Sequence, residues 1–465
     1  MKHHLHAMIC LFAVTACSFA PKYTRPDLAI PPHYKEAGKW IPAQPSYANT
    51  DKGRWWKVYN DGTLNNLEED VTRANQNLKA AFARYQEARA LAAVARGALF
   101  PEIDAVSNAD RYKSSANIAH SLSPQNYNDL LLGGTLSYEI DVWGRVRNQV
   151  SAAVSREQAS AADVATVALS MHAELASDYF NLRGDDEAKR VLDETVKVYQ
   201  KAYELTRDRF EGGASPKADV DQAKAQLESA KTLATDKRLQ RAQLEHAIAV
   251  LIGESPADFT LPETKDKVHV ISIAPSIPST LLQRRPDIAS AELLVEAANA
   301  NIGVARAAYF PDFNLLGTLG LESATGNILF QAPSLYWSLG PSATWILFNG
   351  GKVTAFVDLA KAQYFEQVAI YRQTTLTAFQ QVEDFLVAMH KLNSEMVTQA
   401  AATKAAYSAL KQANYRYVGG IITYLDVVLT QNIALDTELA DIDIRTRRQL
   451  ASVQLIKALG GGWKA

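Results

Sequence analysis

The sequence is poor in cysteine, in long apolar runs and in net charge. Both cysteines, Cys10 and Cys17, lie in the first 17 of 465 residues, which excludes a disulfide framework or cysteine-based zinc site from the rest of the chain. Beyond the N-terminus no apolar run reaches the roughly 18 residues typical of a membrane-spanning helix. The 48 basic and 50 acidic residues nearly cancel, giving a formal net charge of −2. This balance argues against a nucleic-acid-binding protein.

Motifs of known catalytic sites are also missing. The sequence has no His-Glu-x-x-His, no Gly-x-Gly-x-x-Gly, no phosphate-binding loop and no nucleophile elbow. Histidines in the body of the chain, such as His120, His172, His246, His269 and His390, are scattered, so each is expected at a surface or packing position. We therefore expect no enzymatic activity, no cofactor and no metal site.

The N-terminus is organised as a secretion signal. Lys2 is followed by a short apolar stretch from Ala7 to Thr15. The ending Val14-Thr15-Ala16-Cys17 resembles a bacterial lipobox, which predicts that residues 1–16 are removed and that Cys17 is lipidated. Ser18 in place of Asp favours the outer membrane. The alternative is an ordinary signal peptide with an incidental cysteine.

Long stretches without glycine or proline predict long helices. They are Thr63–Arg96, Arg145–Arg183, Asp185–Glu211, Lys217–Ile252, Lys352–Val418 and Ile421–Leu459. A continuous helix of 67 residues, such as Lys352–Val418, would be about 100 Å long. Within it Phe379, Val382, Leu386 and Met389 form an apolar seam, with Asn393 at the next step, which predicts side-by-side helix packing.

Four shorter segments alternate apolar and polar residues, as strands do. They are Leu136–Val142, Leu335–Leu347, Phe313–Glu322 and, more weakly, Ile103–Tyr112. Their length and aromatic ends match outer-membrane strands. A half-buried sheet in a soluble domain is the alternative.

The sequence repeats itself at an offset of 207 to 210 residues. Phe100-Pro101 matches Phe310-Pro311, Gly212-Gly213 matches Gly419-Gly420, Asp219 matches Asp426, and the helix end at Gly253 matches that at Gly460. Each repeat is predicted to contain a helix, a strand hairpin, a long helix, a Gly-Gly turn and another helix.

Four strands are too few to close a membrane barrel, and lipid tolerates no open sheet edge. Two chains would give eight strands, a barrel whose interior is filled by side chains. Three chains would give twelve, the smallest symmetric arrangement expected to leave a lumen. The strand count therefore predicts a barrel shared by three chains, provided that the strands lie in lipid.

The residues resemble the outer-membrane efflux lipoproteins of the TolC superfamily, NodT type. The most specific stretch runs from Leu281-Leu282-Gln283-Arg284-Arg285-Pro286-Asp287 through Asn299-Ala300-Asn301-Ile302-Gly303-Val304-Ala305-Arg306 to Phe310-Pro311. Trp55-Trp56 and Phe348-Asn349-Gly350-Gly351 also agree.

The resemblance implies a mainly α-helical fold with a membrane β-barrel: a homotrimer with a twelve-stranded barrel, four strands per chain, and a long helical tunnel. It also implies outer-membrane localisation, docking to a periplasmic adaptor, and an inner-membrane pump of the RND type. The predicted function is a passive exit duct for small molecules such as drugs, solvents or metal ions. The alternatives are an exit duct for type I protein secretion, and a periplasmic adaptor or tether without a pore.

Two groups of residues are candidates for specific roles. At the helix-to-strand junctions, Phe100-Pro101 and Phe310-Pro311 are expected to end a helix and pack there. At the periplasmic tips, where the family closes its tunnel, the gate candidates are Gly212, Gly213, Asp219, Tyr417, Gly419, Gly420, Tyr424 and Asp426. The two aspartates would form carboxylate rings by threefold symmetry, or else only stabilise helix starts.

Relatives commonly carry Asp and Arg where this sequence has Leu429 and Asn432. An ionic lock therefore cannot be carried over, and Arg209, Arg416, Tyr417 and Tyr424 are the substitutes considered. Arg285-Pro286-Asp287 is interpreted as a helix start, with proline in the first turn and an acid at the positive helix end.

The predicted organisation has five parts. They are a signal peptide (1–16), a lipidated extended segment (17–62), repeat one (63–254), a linker (255–285) and repeat two (286–465).

Overall fold

The computed structural model describes residues 18–37, 53–115, 117, 126–264 and 285–461. Cys17 and the Leu281–Arg284 part of the family-like stretch lie outside the described residues, as do residues 118–125. Within the described residues, none of the helices is both long enough and apolar enough to cross a bilayer.

Seven α-helices and four strands make up the regular structure of the described residues. The helices are α1 (Gly62–Ala74), α2 (Gln76–Gly97), α3 (Arg145–Glu211), α4 (Lys217–Leu251), α5 (Pro286–Ala307), α6 (Lys352–Val418) and α7 (Tyr424–Ala458). The strands are β1 (Glu102–Lys113), β2 (Asn126–Glu139), β3 (Asp312–Ser323) and β4 (Leu335–Thr344). Short 3-10 turns span Lys35–Ala37, Trp55–Tyr59 and Ala332–Ser334.

The prediction of a single helix over Thr63–Arg96 is wrong, because the helix is interrupted at Asn75. Asn75 adopts ψ of 125°, which is not helical. Its side chain donates from Nδ2 to the carbonyl oxygen of Leu251 at 2.8 Å and accepts from the Leu78 amide at 2.9 Å. One buried amide thus anchors the end of α4 and caps the start of α2, which compensates for the interrupted helix.

At Gly184 the sequence predicted two separate helical stretches, Arg145–Arg183 and Asp185–Glu211. The structure has instead one continuous helix, α3, which passes through Gly184. A Cβ atom at Gly184 would lie 2.5 Å from Oγ1 of Thr446 in α7. The glycine therefore permits close approach of two helices here and does not end one.

The seam predicted on α6 is confirmed for Phe379, Val382, Leu386 and Met389, which are all buried. Asn393 is not the next residue of the buried seam, because it is exposed and its neighbour Leu392 is buried instead. The apolar residue wins the buried position, as the cost of burying an unpaired amide predicts.

The four strands form one antiparallel sheet in the order β1-β2-β3-β4. The register pairs Ile103 with Leu136, Leu136 with Gly317, and Gly317 with Leu339. Alternation was expected to continue to Val142 and Leu347, but β2 ends at Glu139 and β4 at Thr344. Directly after β2, the carboxylate of Asp141 accepts hydrogen bonds from the Val146 and Arg147 amides and so caps the start of α3.

The described residues fall into two compact units. The first takes its described residues from Met1–Asp27, Arg84–Ala161 and Ser290–Arg372, and contains the sheet. The second takes them from Leu28–Ala83, Ala162–Ala289 and Gln373–Ala465. One of its apolar cores joins Trp56, Leu64, Leu175, Leu182 and Ile248, which come from the Trp55–Tyr59 turn, α1, α3 and α4.

Candidate functional site

The two Gly-Gly turns have the same hydrogen-bond pattern. After α3, the Ala214 amide donates to the Arg209 carbonyl at 2.7 Å, and after α6 the Ile421 amide donates to the Arg416 carbonyl at 2.9 Å. Gly213 and Gly420 have φ of +73° and +72°, a region that only glycine enters readily. We call the ends of α3 and α6, these turns and the starts of α4 and α7 the helix tips.

The helices that follow the turns start differently. α4 begins at Lys217, with Pro216 at the N-cap position and no side-chain hydrogen bond that caps the helix. α7 begins at Tyr424 with Thr423 as N-cap in a complete capping box. The carboxylate of Asp426 accepts from the Thr423 amide at 3.0 Å and from its hydroxyl at 2.8 Å. This carboxylate therefore has a structural role at the helix start.

Three of the substitutes considered for an ionic lock lie together at the helix tips. The guanidinium of Arg209 lies over the Tyr417 ring at 5.1 Å, and the Tyr417 and Tyr424 rings are 5.5 Å apart. Tyr424 is buried with Ala223 of α4 and Val427 of α7. This tip cluster joins four helix ends by cation–π and apolar contacts.

Burial is the main cause that raises the pKa of Tyr424 to about 12, and the nearby Asp219 carboxylate makes a smaller contribution in the same direction. Asp219 thus lies close enough to Tyr424 to act on it electrostatically. The Tyr424 phenol is therefore neutral at physiological pH.

The two positions that depart from the family pattern take no part in an ion pair. Leu429 is exposed. Asn432 accepts a hydrogen bond at 3.2 Å from Nε2 of Gln226 in α4, through its side-chain oxygen. A neutral amide contact thus connects α7 to α4 at this position.

The helix-to-strand junctions are where the sequence predicted them, but only one is packed. Phe310 stacks on Phe19 at 4.4 Å and lies 4.9 Å from Trp143, whose indole donates to the Pro311 carbonyl. Phe100 in the other junction is 71% exposed. The two repeats therefore differ at this point.

The family-like residues of α5 hold the segment that follows Cys17. Asn299 donates to the carbonyl oxygen of Pro21 at 2.8 Å, and Arg306 to that of Phe19 at 3.3 Å. Arg25 binds both carboxylate oxygens of Glu292. Residues 18–25 are thus fixed along α5 by side chains spaced seven residues, or about two helical turns, apart.

Arg285 is buried and has a structural role, as its place before Pro286 suggested. It binds Asp287 through two hydrogen bonds of 3.0 and 2.6 Å. It also donates to Gln381 at 2.8 Å and to the carbonyl oxygen of Ala458, the last residue of α7, at 3.1 Å. A cation is favourable at this negative helix end.

Sequence reasoning missed a buried ion-pair network on α3. Asp186 pairs with Arg183 at 2.9 Å and with Arg241 of α4 at 2.6 Å. Arg241 and Glu245 then bind the backbone of Leu261. The only signal was an acidic run, Asp185 to Glu187, inside a helix next to a glycine.

It also missed a buried pair between α1 and α3. Oε2 of Glu68 lies 2.6 Å from Nδ1 of His172, whose ring stacks on Trp56 at 4.5 Å. Burial raises the pKa of Glu68 well above its usual range and lowers that of His172 to about 4. Both groups are therefore favoured in their neutral forms.

Within the described part of the chain, no three His, Cys, Asp or Glu side chains are arranged to hold a metal ion.

Comparison with known families gives a match to the family described as outer membrane efflux protein. The match covers residues 69–254 and 277–461.

Individual relatives match along nearly the whole chain. The toluene efflux pump outer membrane protein TtgC of Pseudomonas putida is 30% identical over 466 residues, covering 99% of this chain and 96% of the relative. The antibiotic efflux pump outer membrane protein ArpC of Pseudomonas putida has the same identity and coverage. Among solved structures, the CmeC outer membrane channel of Campylobacter jejuni superposes with a TM-score of 0.91 at 27% identity, covering 96% of each chain.

Proposed function

The chain belongs to the outer membrane efflux protein family, and on that premise we propose that it is a passive exit duct, gated at its helix tips, for small molecules. It is an outer-membrane channel component of a tripartite efflux pump, with the TolC-like channel fold, which is homotrimeric. We propose which residues line and close the duct, which partners it binds and which class of cargo it carries.

The observation that carries the proposal is the sheet of four strands with two unpaired edges. Within the described residues β1 pairs only with β2, and β4 only with β3. Unpaired strand edges are not tolerated in the hydrocarbon of a bilayer. Three copies, each joining its β1 to the β4 of the next, satisfy every edge with twelve strands.

The register separates an apolar face from a polar face, as a membrane barrel with a wet lumen requires. One face carries Ile103, Leu132, Leu136, Leu315, Leu319, Leu321, Leu335, Trp337 and Leu339, together with Arg111 and Lys113 at the end of β1. The other carries Glu102, Asp104, Asp110, Asp129, Glu139, Asp312 and Glu322, and no strand residue of this face is lysine or arginine. We assign the apolar face to lipid and the acidic face to the lumen, which would favour cations and neutral solutes over anions.

The helix tips are the proposed gate. Arg209, Tyr417 and Tyr424 link α3, α6 and α7 in place of the ionic lock that Leu429 and Asn432 cannot form. Opening would separate these contacts. Of the two aspartates considered for the gate, Asp219 is the one that could act on permeating ions, because the Asp426 carboxylate is bound in its capping box.

Cys17 is the proposed lipid attachment site. The next residues are held against the base of the sheet, with Phe19 stacked on Phe310, two residues before β3. Acyl chains at Cys17 would therefore enter the bilayer beside the strands.

The cargo is proposed as a class only. Relatives of equal identity are named for toluene and for antibiotics, so identity does not separate these cargoes. A periplasmic adaptor and an inner-membrane pump of the RND type are the proposed partners, and the chain itself is proposed to carry out no chemistry. The names of the relatives favour efflux over type I secretion.

The test is single-channel recording of the purified full chain in planar bilayers. We expect a conducting pore whose reversal potential in a salt gradient shows cation preference. The double variant Asp104→Asn, Asp110→Asn should weaken that preference, whereas Arg111→Gln, at a position assigned to the lipid face, should not. A preparation that inserts but does not conduct, or that prefers anions, would contradict the proposal.

A further inference from the structure

Asn148, in the first turn of α3, is a buried amide that uses only part of its hydrogen-bonding capacity. The residue is 6% exposed. Its Oδ1 accepts a hydrogen bond of 3.1 Å from the Ser18 hydroxyl. Within the described residues, its Nδ2 has no acceptor. A buried donor without a partner is costly, so this group calls for an acceptor that the described residues do not supply.

The Nδ2 donor lies where the N-terminal segment enters the structure. Ser18 is the first described residue, and its hydroxyl accepts from the Ala20 amide at 3.4 Å. A Cβ atom added at Gly303 of α5 would collide with Nδ2 of Asn148 and would lie 2.7 Å from both the Cβ and the amide nitrogen of Ala20. The missing side chain at Gly303 therefore allows α5, the Asn148 amide and residues 18–20 to come together.

The internal repeat shows that this arrangement is specific to one junction. At an offset of 207 residues the counterpart of Asn148 is Ala355, in the first turn of α6. At an offset of 210 residues the counterpart of Gly303 is Ala93, in α2. The long helices of the second repeat thus start without the amide, and their partner helix does so without the glycine. Both residues occur together only where residues 18–25 are held.

The chemistry of the missing acceptor follows from what precedes Ser18. Cys17 is the proposed lipid attachment site, and this inference rests on that proposal. Consecutive Cα atoms are about 3.8 Å apart, so any group on the Cys17 nitrogen is attached within one residue of the Ser18 contact. A free amino terminus near neutral pH is largely an ammonium, which donates and cannot accept. Once the amine carries a fatty acyl chain, it is a neutral amide whose carbonyl oxygen accepts.

We propose that Asn148 is the binding site for the acylated amino terminus of the mature chain. Nδ2 donates to the carbonyl oxygen of the amide that joins the fatty acyl chain to Cys17, while Oδ1 holds Ser18. The Phe19 ring, stacked on Phe310 at 4.4 Å and 5.9 Å from Trp143, holds the next residue. The site fixes the lipid anchor to the start of α3 and distinguishes an acylated from a free amino terminus.

Hydrogen exchange of residues 19–25, measured by mass spectrometry on the purified full chain in detergent, tests the site. Two forms are compared: the triacylated protein, and a diacylated protein with a free amino group, from cells that lack the N-acyltransferase. Asn148→Asp keeps the acceptor for Ser18 and removes only the donor. A carboxylate is also tolerated in the first turn of a helix.

The two forms should respond to Asn148→Asp in opposite directions. In the triacylated protein exchange should become faster by roughly two- to tenfold, the range for one hydrogen bond. In the diacylated protein exchange should become slower, because the new carboxylate meets an ammonium. Ala355→Asp, the same change at the matched position of repeat two, should alter neither form. Asn148→Asp effects of equal sign and size in both forms would overturn the proposal.

A second pair of variants tests the donor without adding charge. Ser18→Ala removes only the contact to Oδ1, and should affect both forms alike. Asn148→Ala removes both contacts, and should exceed Ser18→Ala in the triacylated form alone. If Asn148→Ala and Ser18→Ala match in the triacylated protein, Nδ2 has no ligand there and the inference is wrong.

The mass of the N-terminal peptide separates this inference from the proposed function. A wild-type peptide without acyl groups would refute both the lipid anchor at Cys17 and the Asn148 site. A triacylated peptide together with identical responses of the two forms would leave the lipid anchor standing and refute the Asn148 site alone. The exit duct is judged by conductance, which neither result decides.

Discussion

At the scale of residues, the sequence identified positions but not their contacts. Arg209, Tyr417 and Tyr424 were chosen because an ionic lock was missing, and the structure brings the three together at the helix tips. The Glu68–His172 pair could not be predicted, because its members are 104 residues apart and neither belongs to a motif. Only the packing of α1 on α3 makes this glutamate a buried acid.

That pair predicts a particular dependence of stability on pH. Unfolded, glutamate titrates near 4.5 and histidine near 6.5, while the folded pair, with the pKa of Glu68 raised and that of His172 lowered, retains one proton. Between pH 4.5 and pH 6.5 the pair binds one proton in the folded and in the unfolded state, so it makes the free energy of unfolding independent of pH there. Above pH 6.5 the folded pair holds a proton that the unfolded chain has lost, so stability falls with rising pH, by at most about 1.4 kcal/mol per unit.

The Glu68→Gln variant is the matched comparison, since only His172 still titrates. Its stability should rise with pH up to about 6.5, the usual histidine pKa, and then stay level. Heat-induced loss of helical circular dichroism at pH 6, 7 and 8 measures both profiles. If the unfolding midpoints of wild type and variant fall in parallel above pH 7, the proton on the Glu68 carboxyl is not the cause of the loss of stability.

At the scale of elements, periodicity and the absence of glycine and proline gave the right type for each long segment. α6 matches its predicted range, and all four alternating segments form strands. The errors came from tertiary contacts. A helix ends at Asn75 because the Asn75 side-chain amide binds the Leu251 carbonyl oxygen. A helix runs through Gly184, where the glycine leaves room for the Thr446 side chain of the neighbouring helix. Neither partner is visible from the local sequence.

Gly184→Ala tests the close approach of α3 and α7. Alanine favours a helix by about 1 kcal/mol over glycine. Overpacking against the stiff Thr446 side chain costs typically about 1–3 kcal/mol, so we expect a net loss of stability and a lower unfolding midpoint. Adding Thr446→Ala removes the two nearest atoms and should restore the midpoint.

The control is Gly97→Ala at the end of α2, where an added Cβ meets no atom within 4 Å. If Gly184→Ala is as well tolerated as Gly97→Ala, the helices do not need glycine for their approach.

At the scale of the whole molecule, the prediction rested on counting. Four strands per chain and the resemblance to a known family together predicted an outer-membrane channel, and the family match and the CmeC superposition confirm it. The difference between the two junctions was beyond prediction, because Phe19, which stacks on Phe310, comes from a segment outside both repeats. Repeat symmetry alone predicts equal junctions.

The central claim is that β1 of one chain pairs with β4 of the next around a ring of three. Cysteines placed on both edge strands of the same chain, at Val106 or Asn108 in β1 and at Ser338 or Ser342 in β4, test it directly, because all four lie on the polar face. After oxidation in the membrane, a denaturing gel should show a ladder that stops at three chains for at least one of the pairs. A ladder that continues past three chains, or chains that are only cross-linked within themselves, would contradict the shared twelve-stranded barrel.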